Sequence, residues 1–399
     1  MEKKNKWSKK LLKKKFKKKY KYTKKQRKKH PGHSVYILYT GGTIGMEHDK
    51  TKGLVPIKGK FKNLVNNLKL KHSLKIKYTI EHTNPIIDSS NLQSSNWKNI
   101  ISKLQDNYHK YDTFIVIHGT DTLAYTASLL SFFRRYWKKG IVITGSQIPM
   151  YEFRNDADKN VEEAIIFSSY RIPQVVIVFG GQILRGNCTT KYSSISFEAY
   201  KSPNTHPLGN FGVHLYLNVA EINKGIIPKK PYLKKHLPLK FDLTKWNPII
   251  NIYTLTLTPG MKFSQIVNSI FSAKLPNAVI IRSYGIGNAP ISSPDFYKFL
   301  ELTHEKKIIV VNTTQCVSGG VNMHYYRTGK ELIKHHVIST KQMTFEAIYT
   351  KLFYLFQVFG VYKPDIVKKL FQMNIAGELV KEPHYNKNIK RSFRHYQEL

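Results

Sequence analysis

Short apolar runs, each ending at a glycine or a hydroxyl, alternate along this chain with stretches of helical periodicity. Val35-Tyr36-Ile37-Leu38 leads into Tyr39-Thr40-Gly41-Gly42-Thr43-Ile44-Gly45-Met46, and Phe114-Ile115-Val116-Ile117 into His118-Gly119-Thr120-Asp121-Thr122. Ile141-Val142-Ile143 leads into Thr144-Gly145-Ser146-Gln147, and Val175-Val176-Ile177-Val178 into Phe179-Gly180-Gly181-Gln182. Such runs read as strands buried on both faces. Between them, Phe61, Leu64, Val65 and Leu68 recur at a 3.6-type spacing, as do Trp97, Ile100, Ile101 and Leu104; residues 123–137 and 161–168 read as further helices. A strand over 75–81 reaches the polar turn Asn84-Pro85-Ile86-Ile87-Asp88-Ser89-Ser90-Asn91, and 47–59, with Gly53, Pro56 and Gly59 among charges, reads as an exposed, mobile flap.

Strands alternating with helices imply an α/β fold whose parallel sheet is covered on both faces. Ligands of such sheets sit at the carboxyl ends of the strands, where every polar loop named above falls. Residues 228–248 are rich in Pro and Lys without periodicity and read as a linker. A second, smaller α/β unit follows, with Ala278-Val279-Ile280-Ile281 leading into 282–288 and Ile308-Ile309-Val310-Val311 into Asn312-Thr313-Thr314-Gln315-Cys316. Residues 345–359 read as a closing amphipathic helix. The organisation expected is a basic arm (1–30), a larger N-terminal domain (31–227) with Thr-bearing loops at its strand ends, the linker, a smaller C-terminal domain (249–385) and a basic tail (386–399).

Charge changes this picture at the ends. The formal net charge is +40, and 17 of the first 30 residues are Lys or Arg against a single acid, Glu2. That density makes 1–30 a solvated, flexible arm with RNA, an anionic lipid surface or an import receptor among its candidate partners. The folded part is also rich in Lys, Asn, Ile, Tyr and Phe, whose codons are built largely from A and T, so base composition accounts for much of its excess. No apolar run approaches the ~20 residues that span a bilayer, and the cationic start has no apolar signal region, so a cytoplasmic location is expected, with nuclear entry through the Lys clusters open. Two cysteines without CxxC spacing and 16 scattered histidines argue against a disulfide framework or a bound metal.

Two strand ends loaded with threonine suggest a hydroxyl nucleophile with a helper. A threonine hydroxyl is a poor nucleophile near neutrality and needs a base. The residues offer Thr120 with Lys191, from Arg185-Gly186-Asn187-Cys188-Thr189-Thr190-Lys191, as a relay, with Asp121 orienting the lysine or holding a substrate ammonium. Asp88-Ser89-Ser90 offers hydroxyls and N–H groups for a carboxylate. Taken singly, each loop is also an ordinary turn. A phosphate-cradling reading of Gly41-Gly42 is weak, because the Gly-Lys-Ser/Thr ending of a P-loop is absent.

Taken together, 39–46, 118–128 and 143–149 resemble the L-asparaginase family, specifically its cytosolic type I branch. The similarity continues in order through 88–90, 185–191, 202–204, 281–290 and 314–323 to 344–356. The resemblance implies Thr43 as the primary nucleophile and Thr120, Asp121 and Lys191 as the supporting triad. It implies that Asp88, Ser89 and Ser90, with Thr120 and Asp121, bind the α-carboxylate and α-amino groups. The implied reaction is hydrolysis of L-asparagine to L-aspartate and ammonia through an acyl-threonine ester, without metal or cofactor. It further implies a homodimer or homotetramer in which Asn288 reaches a neighbour's site, and an activator site to which Thr190, Arg282, Asn288 and Cys316 correspond.

One position departs from the family pattern. The flap segment reads Lys52-Gly53-Leu54-Val55-Pro56, with Leu54 where the family usually carries a tyrosine that helps activate the nucleophile. Leucine can neither donate nor accept a hydrogen bond, so reduced but real turnover is expected. Tyr39, nearby in sequence, is expected to lie on the strand. Two alternatives stand beside hydrolysis: the asparaginase-like subunit of a tRNA-dependent amidotransferase, and a catalytically weakened protein that binds RNA or membrane through its arm.

Overall fold

The computed structural model describes residues 32–51, 53–56, 60–67, 76–134, 137–225, 241–272 and 274–379. The arm, most of the linker and the tail expected from the sequence lie outside the described residues. In the first domain the strands are β1 (His33–Gly41), β2 (Met46–Asp49), β3 (Gly53–Pro56), β4 (Ile76–Ile87), β5 (Thr113–Ile117), β6 (Ile141–Thr144), β7 (Val175–Phe179), β8 (Gln182–Arg185), β9 (Thr190–Lys191), β10 (Tyr200–Lys201), β11 (Gly209–Phe211) and β12 (Leu215–Leu217). Eight of them form one sheet in the order β12-β11-β8-β7-β6-β5-β1-β4. The five from β4 to β7 are parallel, and β8, β11 and β12 continue antiparallel. The sheet is therefore mixed, not wholly parallel: the positive-φ pair Gly180-Gly181 reverses the chain in place, so β8 returns beside β7 without a crossover helix.

The central strands bear out their continuous apolar reading, with β5, β6 and β7 buried throughout. The Ser94–Asp106 helix buries Trp97, Ile100, Ile101 and Leu104, the four residues its periodicity picks out. The strand read over 75–81 runs on to Ile87. Its register with β1 slips between Tyr39 and Gly41, so several extra β4 residues are taken up there and the turn at Asp88 arrives beside the Gly41-Gly42 loop. The flap segment contains the antiparallel hairpin β2–β3, in which His48 faces Leu54. The Leu54 side chain lies outside the described part of the structure.

The second domain is a four-stranded parallel sheet in the order β13 (Ile252–Thr256), β14 (Ala278–Ser283), β15 (Ile309–Thr314) and β16 (Ile338–Ser339). The Phe345–Phe359 helix is not amphipathic as its sequence suggests. Eleven of its residues are buried, Glu346 and Lys351 among them. It packs against the Leu123–Phe133 helix of the first domain, Tyr354 meeting Phe132 and Phe133 at 5.7 and 5.1 Å between ring centroids. A helix buried on nearly all sides is what a position between two sheets requires. Phe241 and Trp246, inside the span read as the linker (228–248), are buried and complete this aromatic seam against Phe133, so the last part of that span is core and not linker. Each such ring contributes about 1.5–3 kcal/mol by leaving water.

After the Pro364–Phe371 helix, residues 375–379 return to the seam. There Lys351 and Glu378 form an ion pair at 2.5 Å with both side chains fully buried. Lys351 Nζ also donates to the Met373 carbonyl, while Glu378 accepts the N–H groups of Ile375 and Ala376. The strap so held accepts hydrogen bonds from Asn187 Nδ2, at the Ala376 carbonyl, and from Cys188 Sγ, at the Gly377 carbonyl. The second domain thus braces the turn that leads to Lys191.

Candidate active site

Three loops meet where β1, β4 and β5 end. Gly41 and Gly42 have φ of 122° and 95°, conformations that a side chain would strain. Space imposes the same choice. A Cβ on Gly42 would lie 2.3 Å from the Gly119 Cα, one on Gly119 2.5 Å from Ser89 Oγ, and one on Gly41 2.1 Å from the Ile87 carbonyl oxygen. The loops bearing Thr43, Ser89 and Thr120 are therefore nested, Gly42 against the Gly119 backbone and Gly119 against the Ser89 side chain. Thr122 Oγ1 adds a bond to the Ser89 carbonyl at 2.8 Å.

The two threonines of Thr40-Gly41-Gly42-Thr43 have different fates. Thr40 is buried on β1 and its hydroxyl donates to the Ile117 carbonyl at 3.0 Å, stitching the two strands. Thr43 opens a single 3-10 turn over Thr43–Gly45 and is half-buried. Met150 N–H donates to the Ile44 carbonyl at 3.0 Å and fixes that turn from the β6 side. Tyr39 lies on the strand, as expected from its position; its ring stacks on Phe61 at 4.4 Å and its hydroxyl sits over Gly45. In the next loop, Asp88 caps a short turn by accepting from Ser90 N–H at 3.1 Å, with Ser89 buried and Asp88 and Ser90 exposed.

Lys191 arrives from the far side on β9. Its Nζ lies 2.9 Å from Thr120 Oγ1 and 2.7 Å from Asp121 Oδ1. Residues 70 positions apart in sequence thus form the trio that the sequence paired. Lys191 is half-buried, and Asp121 is 59% exposed, so the carboxylate can serve the lysine and still reach a ligand.

Beneath this trio His118 is buried and bonded on both ring nitrogens. Its Nδ1 lies 2.9 Å from the Gly119 carbonyl, which can only accept, so Nδ1 carries the proton and Nε2 accepts from Thr126 Oγ1 at 2.9 Å. Thr126 in turn accepts from Trp97 Nε1. His118 is thus a neutral brace, and burial holds its pKa down at about 4. Neutral in the fold but protonated below pH 6.5 when unfolded, it supports stability that is complete above pH 6.5 and is lost as pH falls towards 4. In urea unfolding, the stability advantage of the wild type over His118→Asn should shrink across that window by up to about 3 kcal/mol. A difference independent of pH would contradict the neutral assignment.

Of the residues matched to an activator site, Arg282 and Cys316 lie at or just beyond the carboxyl ends of β14 and β15, with Asn288 in the following loop, where Thr328 Oγ1 donates to Asn288 Oδ1. Gln315 Nε2 bonds the Arg282 carbonyl, and the Arg282 guanidinium stacks over Phe345 at 5.2 Å. Thr190 reaches across from the first domain, donating to Glu346 Oε1 at 2.7 Å. Burial pushes the Glu346 carboxyl up. Sequence reasoning missed Glu346 and Tyr200. The one signal for Glu346 is that it is the single acid of a largely apolar helix; nothing local marks Tyr200. Among the described residues no group of three or more His, Cys, Asp or Glu is placed to hold a metal ion, and no helix is long and apolar enough to cross a membrane.

Hydroxyls, a lysine and a carboxylate gathered at the open end of parallel strands, with a second α/β domain packed against the segment that carries the lysine, make the architecture of a two-domain α/β enzyme. The chain belongs to the asparaginase family. Residues 34–222 match the model for the asparaginase N-terminal domain, and residues 251–371 that for the glutaminase/asparaginase C-terminal domain. Over 350 residues it is 36% identical to L-asparaginase 1 of Escherichia coli strain K12, covering 87% of this chain and 98% of that one. It is 31% identical over 379 residues to the 60 kDa lysophospholipase of Mus musculus, spanning 64% of that protein. The crystal structure of L-asparaginase I from Vibrio cholerae superposes with a TM-score of 0.75 at 32% identity, covering 88% of this chain and all of that one.

Proposed function

We propose that this chain hydrolyses the side-chain amide of L-asparagine to L-aspartate and ammonia, with Thr43 as nucleophile. The Thr43 hydroxyl attacks the amide carbon, and its proton passes through the Thr120 hydroxyl to Lys191 acting as the base. The tetrahedral intermediate then collapses by expelling ammonia, the proton returning to the leaving nitrogen. Water, activated by the same pair, hydrolyses the acyl-threonine ester and frees aspartate. Asp121 steadies Lys191 and meets the substrate ammonium, while Asp88, Ser89 and Ser90 bind the α-carboxylate and α-amino groups. The observation that best supports this reading is the Lys191 Nζ–Thr120 Oγ1 bond, in a loop nested against the one that bears Thr43.

The same proposal includes a homodimer or homotetramer, with Asn288 reaching a neighbouring site, and a second asparagine site at Thr190, Arg282, Asn288 and Cys316. It also includes a cytoplasmic location, with the Lys-rich arm contacting RNA or anionic surfaces and allowing nuclear entry; the composition of 1–30 supports this. Glutamine is expected to be the weaker substrate. A single extra methylene is worth about 1–3 kcal/mol, or 10–200-fold.

Ammonia and aspartate release from L-asparagine, with glutamine beside it, tests the reading. Equimolar release of both products is expected. A folded protein that releases ammonia from neither amide would refute it.

A further inference from the structure

We propose that Tyr200 is a positioning residue that sets the Lys191–Thr120 pair, an inference that rests on the amide hydrolysis proposed above. The strand carrying Lys191 is only two residues long. Among the described residues β9 pairs with β10, over Thr190 with Lys201 and Lys191 with Tyr200, and the ribbon ends with the Tyr192 and Ser193 N–H groups on the Ala199 carbonyl; a two-stranded ribbon of that length is marginal by itself. Side chains therefore contribute to fixing where it sits.

Tyr200 stands directly opposite Lys191 in that ribbon, and its hydroxyl donates to the main-chain carbonyl of Thr120. One residue therefore touches both members of the pair, the lysine through backbone register and the threonine through the phenol. The ring is anchored independently: it meets Phe179 of β7 edge-on at 4.9 Å and 70°, and the residue is only 2% exposed. Burial keeps the phenol protonated far into the alkaline range, so it remains a donor wherever the enzyme works. On the other side, the bond from Thr190 to Glu346 stops the ribbon rotating away. A hydrogen bond between a buried phenol and a carbonyl fixes the loop 118–122 relative to β9 along one line. Nζ and Oγ1 at 2.9 Å lie within the narrow range in which a proton can pass between them. Without a tyrosine at position 54, no flap phenol shares this task, and the alignment of lysine and threonine matters more.

The experiment is steady-state ammonia release by the intact protein, Tyr200→Phe, Lys191→Met and the double variant. Tyr200→Phe keeps the ring against Phe179 and removes only the hydroxyl. It should lower kcat about tenfold, the cost of misaligning one proton transfer, with KM within about twofold. In the Lys191→Met background the same change should cost nothing more, because there is no pair left to align. Site-specific 3-fluorotyrosine at 200, which retains the hydroxyl, should keep kcat close to the parent and guards against a Phe variant that misfolds. An unchanged kcat in Tyr200→Phe, even with a lowered Tm, would make the tyrosine a core residue only and overturn the inference while hydrolysis stands. A fall in kcat of equal size in the Lys191→Met background would also overturn it. Absence of ammonia release from the intact protein would remove the hydrolysis reading and this inference with it.

Discussion

Thr43→Ala is expected to lower kcat for asparagine by about 10⁴-fold or more while leaving the protein folded, because the acyl-enzyme cannot form without its nucleophile. The structure explains why this threonine is the one to change. Thr40 is the other hydroxyl of the loop, but it is buried and its proton is committed to the Ile117 carbonyl. Thr122 is committed to the Ser89 carbonyl. Thr43 sits in a tight turn at the mouth of the nest, half-exposed to an incoming amide. Lys191→Met should cost about 10²–10⁴-fold, the usual worth of a positioned base. The double variant should be little worse than Thr43→Ala alone, since residues acting as a unit are not additive. Ammonia release together with a thermal melt checks these outcomes. Retention of more than about a hundredth of parent kcat by a folded Thr43→Ala would move the nucleophile elsewhere. Leu54→Tyr belongs to the same series and should raise kcat; no change would mean that the relay has no need of a flap phenol.

Glu378→Ala should be the most damaging single change away from the site, destabilising the protein by about 3–5 kcal/mol. The pair it forms with Lys351 is fully enclosed, and burial already pushes the Lys351 ammonium down in pKa, with Glu378 opposing that shift. Removing the carboxylate strands the charge among Phe371 and the aromatic seam, and leaves the Ile375 and Ala376 N–H groups without their acceptor. The expected fall in Tm is about 5–10 °C. Lys351→Met combined with Glu378→Gln should recover most of it, because two neutral groups avoid the cost of an unpaired charge. A calorimetric scan of the three proteins decides the matter, and equal Tm values for parent and Glu378→Ala would show that the pair holds nothing. The strap also bonds Asn187 and Cys188, so the single variant should lose activity at temperatures below its own melt, as the turn before Lys191 loosens.

Much of the architecture was written locally. Continuous Val/Ile runs fixed β5, β6 and β7 as buried strands, because only a strand covered on both faces tolerates apolar residues on both sides. Glycine pairs after strands located the loops, and the ordered motifs carried the family. The departures came where local and distant forces part. The Phe345–Phe359 helix contains polar residues at intervals and so resembles a surface helix. In the structure Glu346 and Lys351 are buried because each finds a partner far along the chain or in the other domain. The return of β8 beside β7 likewise depends on a two-glycine turn whose conformation no hydrophobic pattern records.

The sequence by itself determined the strand–helix alternation that builds the centre of the first domain, the hydroxyl-bearing loops, the absence of a tyrosine at position 54 and the family. Each of these is a matter of residues within one turn of helix, one strand or one motif. Only the tertiary structure showed that Thr40 is buried with its hydroxyl bonded to the Ile117 carbonyl, while Thr43 is half-buried in the turn that follows. It also decided that Gly42, Gly119 and Ser89 nest together, and that Tyr200 and Glu346 hold the strand bearing Lys191. Those outcomes depend on register and on packing between segments tens to hundreds of residues apart. Backbone approach to within van der Waals distance is set by the summed packing of two domains, which no local propensity encodes.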